Sequence, residues 1–376
     1  MSPETSMRIR RGALIFTAVT LCAFLVYTAT DSIRPGSFSS SSFVSILPSY
    51  LNYSSPPAPL QFAKAIRKIP LNITVVFVQD STLELEEILK NASTVNKTVI
   101  LTTLNDAWAS PGSIVDLFLK SFKLGDGIHK FLDHLVIVAM DQRAYNRCRI
   151  VHKHCYALVT KGVDFHQEAD FMTPHYLKMM WRRIDFLRTV LELGYSFVFT
   201  DADIMWFRDP FPRFFPDADF QIACDNFLGR SDDMNNSPNG GFNYVKSNDR
   251  TIAFYKLWYS SREAYPESHD QDVLNKIKFD PIISNIGLKI RFLDTAYFGG
   301  LCEPSKDLNV VCTMHVNCCI GMDRKLIDLE IMLQDWRAFV SLPSDLKNQS
   351  IIFWRVPRNC SLDSVHHADI PEAGND

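Results

Sequence analysis

The feature that most constrains this chain is an alternation of apolar, β-prone runs with helix-patterned segments from Lys97 to Asp203. KTVILTTLNDAW is β-branched and closes on polar residues, PGSIVDLFLKSF has Pro near a helix start and an apolar stripe, and LDHLVIVAMD is a second buried strand. TPHYLKMMWRRIDFLRTVLELG, Thr173 to Gly194, offers Thr as N-cap, Pro at the first helical position and Gly as terminator, and the strand YSFVFTD follows. This grammar predicts an α/β sandwich around a mixed, mostly parallel sheet. Ligands of such sheets sit beyond the carboxyl ends of strands, which is where Asp201 and Asp203 fall.

Two carboxylates at i and i+2 point the same way if the strand continues, and a turn after it aims both at one cation. Hard oxygen ligands of this kind suit Mn²⁺ or Mg²⁺, which keeps coordination positions for substrate phosphate oxygens, so a diphosphate partner is implied. A solvated turn has the same letters, but the apolar flanks FVF and IMWF argue against one. Farther along the same stretch, Asp209 and Pro210 read as residues that turn the chain. A net charge of −3 supplies no basic field for nucleic-acid phosphates, so nucleic acid is excluded as an expected partner.

The ends of the chain read as anchor, stem and tail rather than core. Arg8, Arg10 and Arg11 precede an uncharged run from Gly12 to Thr30, which at about 1.5 Å per residue nearly spans a bilayer core of roughly 30 Å. The positive-inside rule then predicts a cytosolic tail at 1–11, a single transmembrane signal anchor at 12–30 and a luminal remainder, with a cleaved signal as the other reading. The Ser- and Pro-rich stretch 31–80 reads as a stem, Ser81 to Ser93 as a helix leading into a catalytic domain at 81–345, and 346–376 as a C-terminal tail. Sequons at Asn52, Asn72, Asn91, Asn96, Asn235, Asn348 and Asn359 fit a luminal setting. Eight of the nine cysteines lie beyond the anchor, which in an oxidising compartment implies disulfides; only HVNCC comes near a zinc spacing.

Haloacid-dehalogenase-like phosphatases, which also place Asp-x-Asp at a strand end, continue with Thr or Val where this chain has Met205. TDADIMWFRDPF, MMWRRIDFLRTVLELGY, NGGFNY, HDQDVLN, FGGLCEPSKDL and TMHVNCC instead resemble the plant nucleotide-diphospho-sugar transferase family, glycosyltransferase family 77, over about Lys97 to Leu342. That family is similar, more distantly, to retaining enzymes of the GT-A fold. The resemblance implies a GT-A Rossmann-like α/β/α sandwich and a Mn²⁺-dependent transfer, with Mg²⁺ as the substitute, from a UDP-sugar to a polysaccharide or glycoprotein acceptor. It also implies a pentose such as xylose or arabinose, and Golgi residence as a single-pass type II membrane protein.

Residue by residue, the resemblance places Thr103 and Asn105 near uridine, Asp201 on ribose and a metal water, Asp203 and His315 on the metal, and Lys325, after Gly321, on phosphate. Asn239 lies beside the donor sugar, and Asp270 and Gln271 at the β-face of its anomeric carbon, with Asp272 as a neighbour and Asp270 also readable as a helix N-cap. Arg182, like Arg183, is a donor-binding candidate or a helix-surface residue. Retention then proceeds by front-face attack or through a covalent carboxylate intermediate. The rival from another class is a carbohydrate-binding or scaffold protein that keeps the fold without catalysis.

Overall fold

The computed structural model describes residues 73–349 and 353–360, apart from 161 and 170. The expected signal anchor, the cytosolic tail, the stem through residue 72 and the tail from residue 361 lie outside the described residues. No helix among the described residues is long and apolar enough to cross a membrane.

Helix α1, Ile73–Ala92, covers all but the last residue of the segment expected to be helical and begins earlier, within the stretch read as stem. The β-branched run from Ile73 to Val76 gives little intrinsic helical signal, so this start is invisible to propensity. The main sheet then assembles from β1 Thr98–Leu104, β2 Leu135–Ala139, β3 Cys155–Ala157, β4 Ser196–Thr200, β6 Phe220–Asn226, β7 Ser237–Val245 and β8 Ile290–Phe292. Its order is β3-β2-β1-β4-β7-β6-β8. Four strand pairs are parallel and two, those flanking β7, are antiparallel, as the alternation predicts for the first half of the chain. A smaller sheet joins β5 Ile204–Trp206, β10 Thr313–His315 and β9 Phe298–Gly300, with β10 in the middle.

Period-two alternation sends each strand's side chains to two cores. Ile100, Ile137 and Val198 pack into one, with Phe118 and Phe122 of α3 (Ile114–Leu124, after the short α2, Asp106–Ala109). Val99, Leu101, Val138 and Phe199 pack into the other, against Ile184 and Leu187 of the helix that precedes β4. That helix, α5, Pro174–Glu192, follows α4, Gln142–Val151, and begins as predicted: Thr173 accepts a hydrogen bond from the Tyr176 amide and Pro174 opens the first turn. Gly194, at φ +83°, ends it in the left-handed region that glycine tolerates best. Beyond the sheet lie α6, Asp249–Ser261, α7, Asp270–Ile277, α8, Pro281–Asn285, and α9, Met322–Val340.

Met205, Trp206 and Phe207 are fully buried, Trp206 stacking on Phe122 with ring centroids 4.9 Å apart. Asp209 accepts a hydrogen bond from the Phe211 amide, the turn-making role its position implies.

Candidate active site

The small sheet explains how Asp203 and His315, distant in sequence, come together. After β4 the Asp201 amide still donates to Gly241 of β7 at 2.7 Å, and the chain then turns into β5. There Ile204 pairs antiparallel with His315, and the Val316 amide donates to the Asp203 carbonyl at 3.1 Å. Backbone register alone therefore sets the imidazole beside the acid pair. One ligand atom from each of Asp201, Asp203 and His315 lies within 4.8 Å of the others.

Electrostatics around the trio are uneven. Asp203 is buried, with Oδ1 3.1 Å from His315 Nε2 and Oδ2 2.5 Å from the Lys325 ammonium. Burial alone would raise its carboxyl, but Lys325 and His315 outweigh burial and hold it well below the usual carboxylate range. Burial pushes the Asp201 carboxyl up, with Arg183 opposing and the Asp203 charge adding to the rise. Asp203 Oδ1 is buried without an aligned hydrogen bond, so a carboxylate oxygen, a second carboxylate and an imidazole nitrogen converge with a lone pair unsatisfied. Two acids and one histidine with unused acceptor capacity fit a hard or borderline divalent cation.

These groups open onto a cavity of about 420 Å³. At its β1 end are Thr103, Leu104, Trp108 and Met140. Asn105 lines it too, but its amide is engaged in structure. It caps α2 by accepting from the Trp108 amide and donates to the Phe165 and Gln167 carbonyls at 3.1 and 3.0 Å, tying the strand end to the segment 165–167. Lys325 sits in the first turn of α9 after Gly321, with its ammonium also 5.4 Å from the Trp108 ring centre.

At the other end, NGGFNY lies on β7 and HDQDVLN forms the start of α7. Asn239 Oδ1 accepts from the Gly241 amide at 3.0 Å and lies 3.1 Å from His315 Nδ1. Gln271 Oε1 accepts from the Gly240 amide at 2.8 Å. Asp270 is buried and ion-paired with Arg183 at 2.6 Å. Burial would raise its carboxyl too, but Arg183, then His269, hold it well below the usual range. The α7 cap is His269, whose Nδ1 accepts from the Gln271 amide, and Asp270 is the first helical residue instead. Asp272 is about half exposed beside His269 and does not line the cavity.

Arg182 requires a correction. Its guanidinium donates to Thr160 at 3.2 Å and Asp185 at 3.0 Å, outside the cavity, because one residue of helix rotates a side chain by roughly 100°. Arg183 faces inward instead, bridging Asp201 at 2.9 Å and Asp270 at 2.6 Å with its guanidinium over the Phe199 ring.

Two cavity residues escape sequence reasoning altogether. Asp225 is the last residue but one of β6, and its FQIACD run has the same apolar-strand-then-acid form as SFVFTD. Asn317 follows His315 at i+2, the spacing by which β10 would carry it to the same side. The adjacent Cys318 and Cys319 form disulfides with Cys302 and Cys360, pinning the cavity loop between His315 and Lys325, and a third bridge joins Cys148 to Cys155. The HVNCC cysteines are thus disulfide partners rather than zinc ligands. Cys224 and Cys312 are buried and free.

The model of a family described as nucleotide-diphospho-sugar transferase matches residues 130–329. An uncharacterised Arabidopsis thaliana protein is 52% identical over 288 residues, covering 76% of this chain and 76% of that protein. Another from the same plant is 40% identical over 262 residues, covering 68% of this chain and 78% of its own length. The A. thaliana protein named UDP-D-xylose:L-fucose alpha-1,3-D-xylosyltransferase 3 is 22% identical over 236 residues, covering 56% of this chain and 60% of that one.

Proposed function

The chain belongs to the nucleotide-diphospho-sugar transferase family, and from that premise we propose that it is a Mn²⁺-dependent retaining glycosyltransferase that moves a pentose from a UDP-sugar. Its acceptor in this reading is a cell-wall polysaccharide or a glycoprotein. The observation that carries the proposal is the convergence of Asp201, Asp203 and His315 within 4.8 Å in a cavity that also holds Lys325 and Gln271. A carbohydrate-binding module has no need of that ligand set beside a phosphate-seeking cation.

Asp201, Asp203 and His315 would hold Mn²⁺, which when bound supplies Lewis-acid neutralisation of the diphosphate. Lys325 adds a fixed positive charge at the same edge, where negative charge grows on the departing UDP. Arg183 keeps Asp270 ionised and holds Asp201 and Asp270 in place, so the sugar end of the cavity meets fixed negative charge as its anomeric carbon becomes positive. Asp270 is 2% exposed and clasped by Arg183, which favours a stabilising role over covalent attack and so favours front-face transfer guided by Gln271.

A luminal Golgi setting with a type II anchor is part of this proposal. Three disulfides support an oxidising compartment. The pentose is supported by the relative named as a xylosyltransferase. A panel of UDP-pentoses and UDP-hexoses, with UDP release measured and product linkage read by NMR, tests donor and stereochemistry together. The proposal expects a UDP-pentose to be preferred and an α-linked product from an α-linked donor; preference for a hexose or inversion at the anomeric carbon would overturn that part of it.

A further inference from the structure

Asp225, which has no role in the reading above, is the hub of the cavity's hydrogen bonds. Its Oδ1 accepts from the amide groups of Asn239 at 2.8 Å and Asn317 at 2.7 Å, and its Oδ2 from that of Gln271 at 2.9 Å. Each of these three amides also uses its oxygen: Asn239 accepts from the Gly241 N–H, Gln271 from Gly240 and Asn317 from Cys302. A carboxylate can only accept hydrogen bonds, so it compels all three amides to present nitrogen to Asp225 and oxygen away from it.

We propose that Asp225 is a positioning residue that, through Asn239, sets the tautomer of His315 for metal ligation and, through Gln271, orients the sugar-facing wall. Asn239 Oδ1, turned away from Asp225, lies 3.1 Å from His315 Nδ1. Both ring nitrogens face acceptor-only oxygens at 3.1 Å, but only Nδ1 is aligned for a hydrogen bond, with Asp203 Oδ1 out of line, so Nδ1 carries the proton and the neutral ring keeps its lone pair on Nε2. A metal ligand needs that lone pair, and the outer partner of the other ring nitrogen commonly decides where it lies. The usual outer partner is a carboxylate or carbonyl in direct contact; here a carboxylate acts one amide removed. One side chain on β6 thereby supports both a metal ligand and the sugar-facing wall. This inference rests on the metal site of the proposed function.

The test uses the full chain and two readouts that need no turnover. Histidine-selective ¹⁵N NMR of the metal-free protein, at a pH where the ring is neutral, should show His315 as the Nδ1–H tautomer in the wild type and as a mixture in Asp225→Asn. Mn²⁺ alone, titrated by electron paramagnetic resonance, should bind Asp225→Asn and Asp225→Ala at least about tenfold more weakly than wild type. Asn317→Ala removes one bond to the same carboxylate but leaves Asn239 in place, and should keep wild-type Mn²⁺ affinity and the wild-type tautomer. An Nε2–H tautomer in the wild type, or unchanged Mn²⁺ affinity in folded Asp225 variants, would overturn the inference. If the wild type binds no Mn²⁺, the metal reading of the site fails, while the tautomer still decides the role of Asp225. Should either variant fail to fold, the wild-type tautomer decides alone.

Discussion

Arg183 and Asp270 meet at 2.6 Å with side chains 6% and 2% exposed, so an almost fully buried ion pair joins the helix before the metal-site strand to the helix that carries Gln271. Removing one partner strands the other charge in a medium that solvates it poorly. Arg183→Met should therefore lower unfolding free energy by about 3–5 kcal/mol, read from urea melts, whereas the Arg183→Met, Asp270→Leu double variant should recover much of that loss. Equal loss in both would mean that the guanidinium's bond to Asp201 or its packing on Phe199 matters more than its pairing with Asp270.

The same pair sets a pH dependence. Asp270 is held below the ordinary carboxylate value of 3.8 in the folded chain. Its contribution to stability is thus fully present above that value and is lost as pH falls through the lowered folded one. Urea midpoints taken downward from pH 3.8 should fall more steeply for wild type than for Asp270→Asn. Parallel slopes would contradict the depressed carboxyl.

Neighbouring glycines of NGGFNY should respond oppositely. A Cβ on Gly241 would lie 2.7 Å from both Asp201 Oδ2 and His315 Cε1, whereas one on Gly240 would meet nothing nearer than 3.8 Å. Gly241→Ala should displace two of the three ligand side chains, destabilising the chain by about 1–3 kcal/mol and weakening Mn²⁺ binding. Gly240→Ala should leave the melting temperature and Mn²⁺ affinity near wild type. Isothermal titration and thermal melts check both.

Two disulfides leave adjacent residues, Cys318 and Cys319, and hold the loop that separates His315 from Lys325. A Cys302→Ser, Cys318→Ser variant should lose roughly 2–4 kcal/mol of stability. Because the freed loop lines the cavity, UDP affinity should weaken as well. A fall in stability with unchanged UDP affinity by equilibrium dialysis would separate this bridge from the site.

Much of this architecture could be read in advance, for local reasons. Thr173, Pro174 and Gly194 mark α5 by capping chemistry that acts within one turn, and the apolar run before Asp201 marks β4 by its period. What escaped depends on long-range phase. Nothing local says that Arg183 rather than Arg182 faces the sheet, because that choice is made by how α5 rolls onto Phe199. Asn105 lines the cavity, yet its amide is taken by the Phe165 and Gln167 carbonyls some sixty residues away. Asp225 had the same strand-end signature as Asp201, and only the convergence of three amides from β7, α7 and the loop after β10 sets it apart.

Mn²⁺-dependent UDP release by the full chain, compared between wild type and Asp203→Ala across the donor panel, tests the central claim most directly. The account expects release that saturates with Mn²⁺ and falls by at least about 10²-fold in Asp203→Ala, the scale on which a group that stabilises developing transition-state charge acts. No release from any UDP-sugar, or equal release from both proteins with and without Mn²⁺, would contradict it.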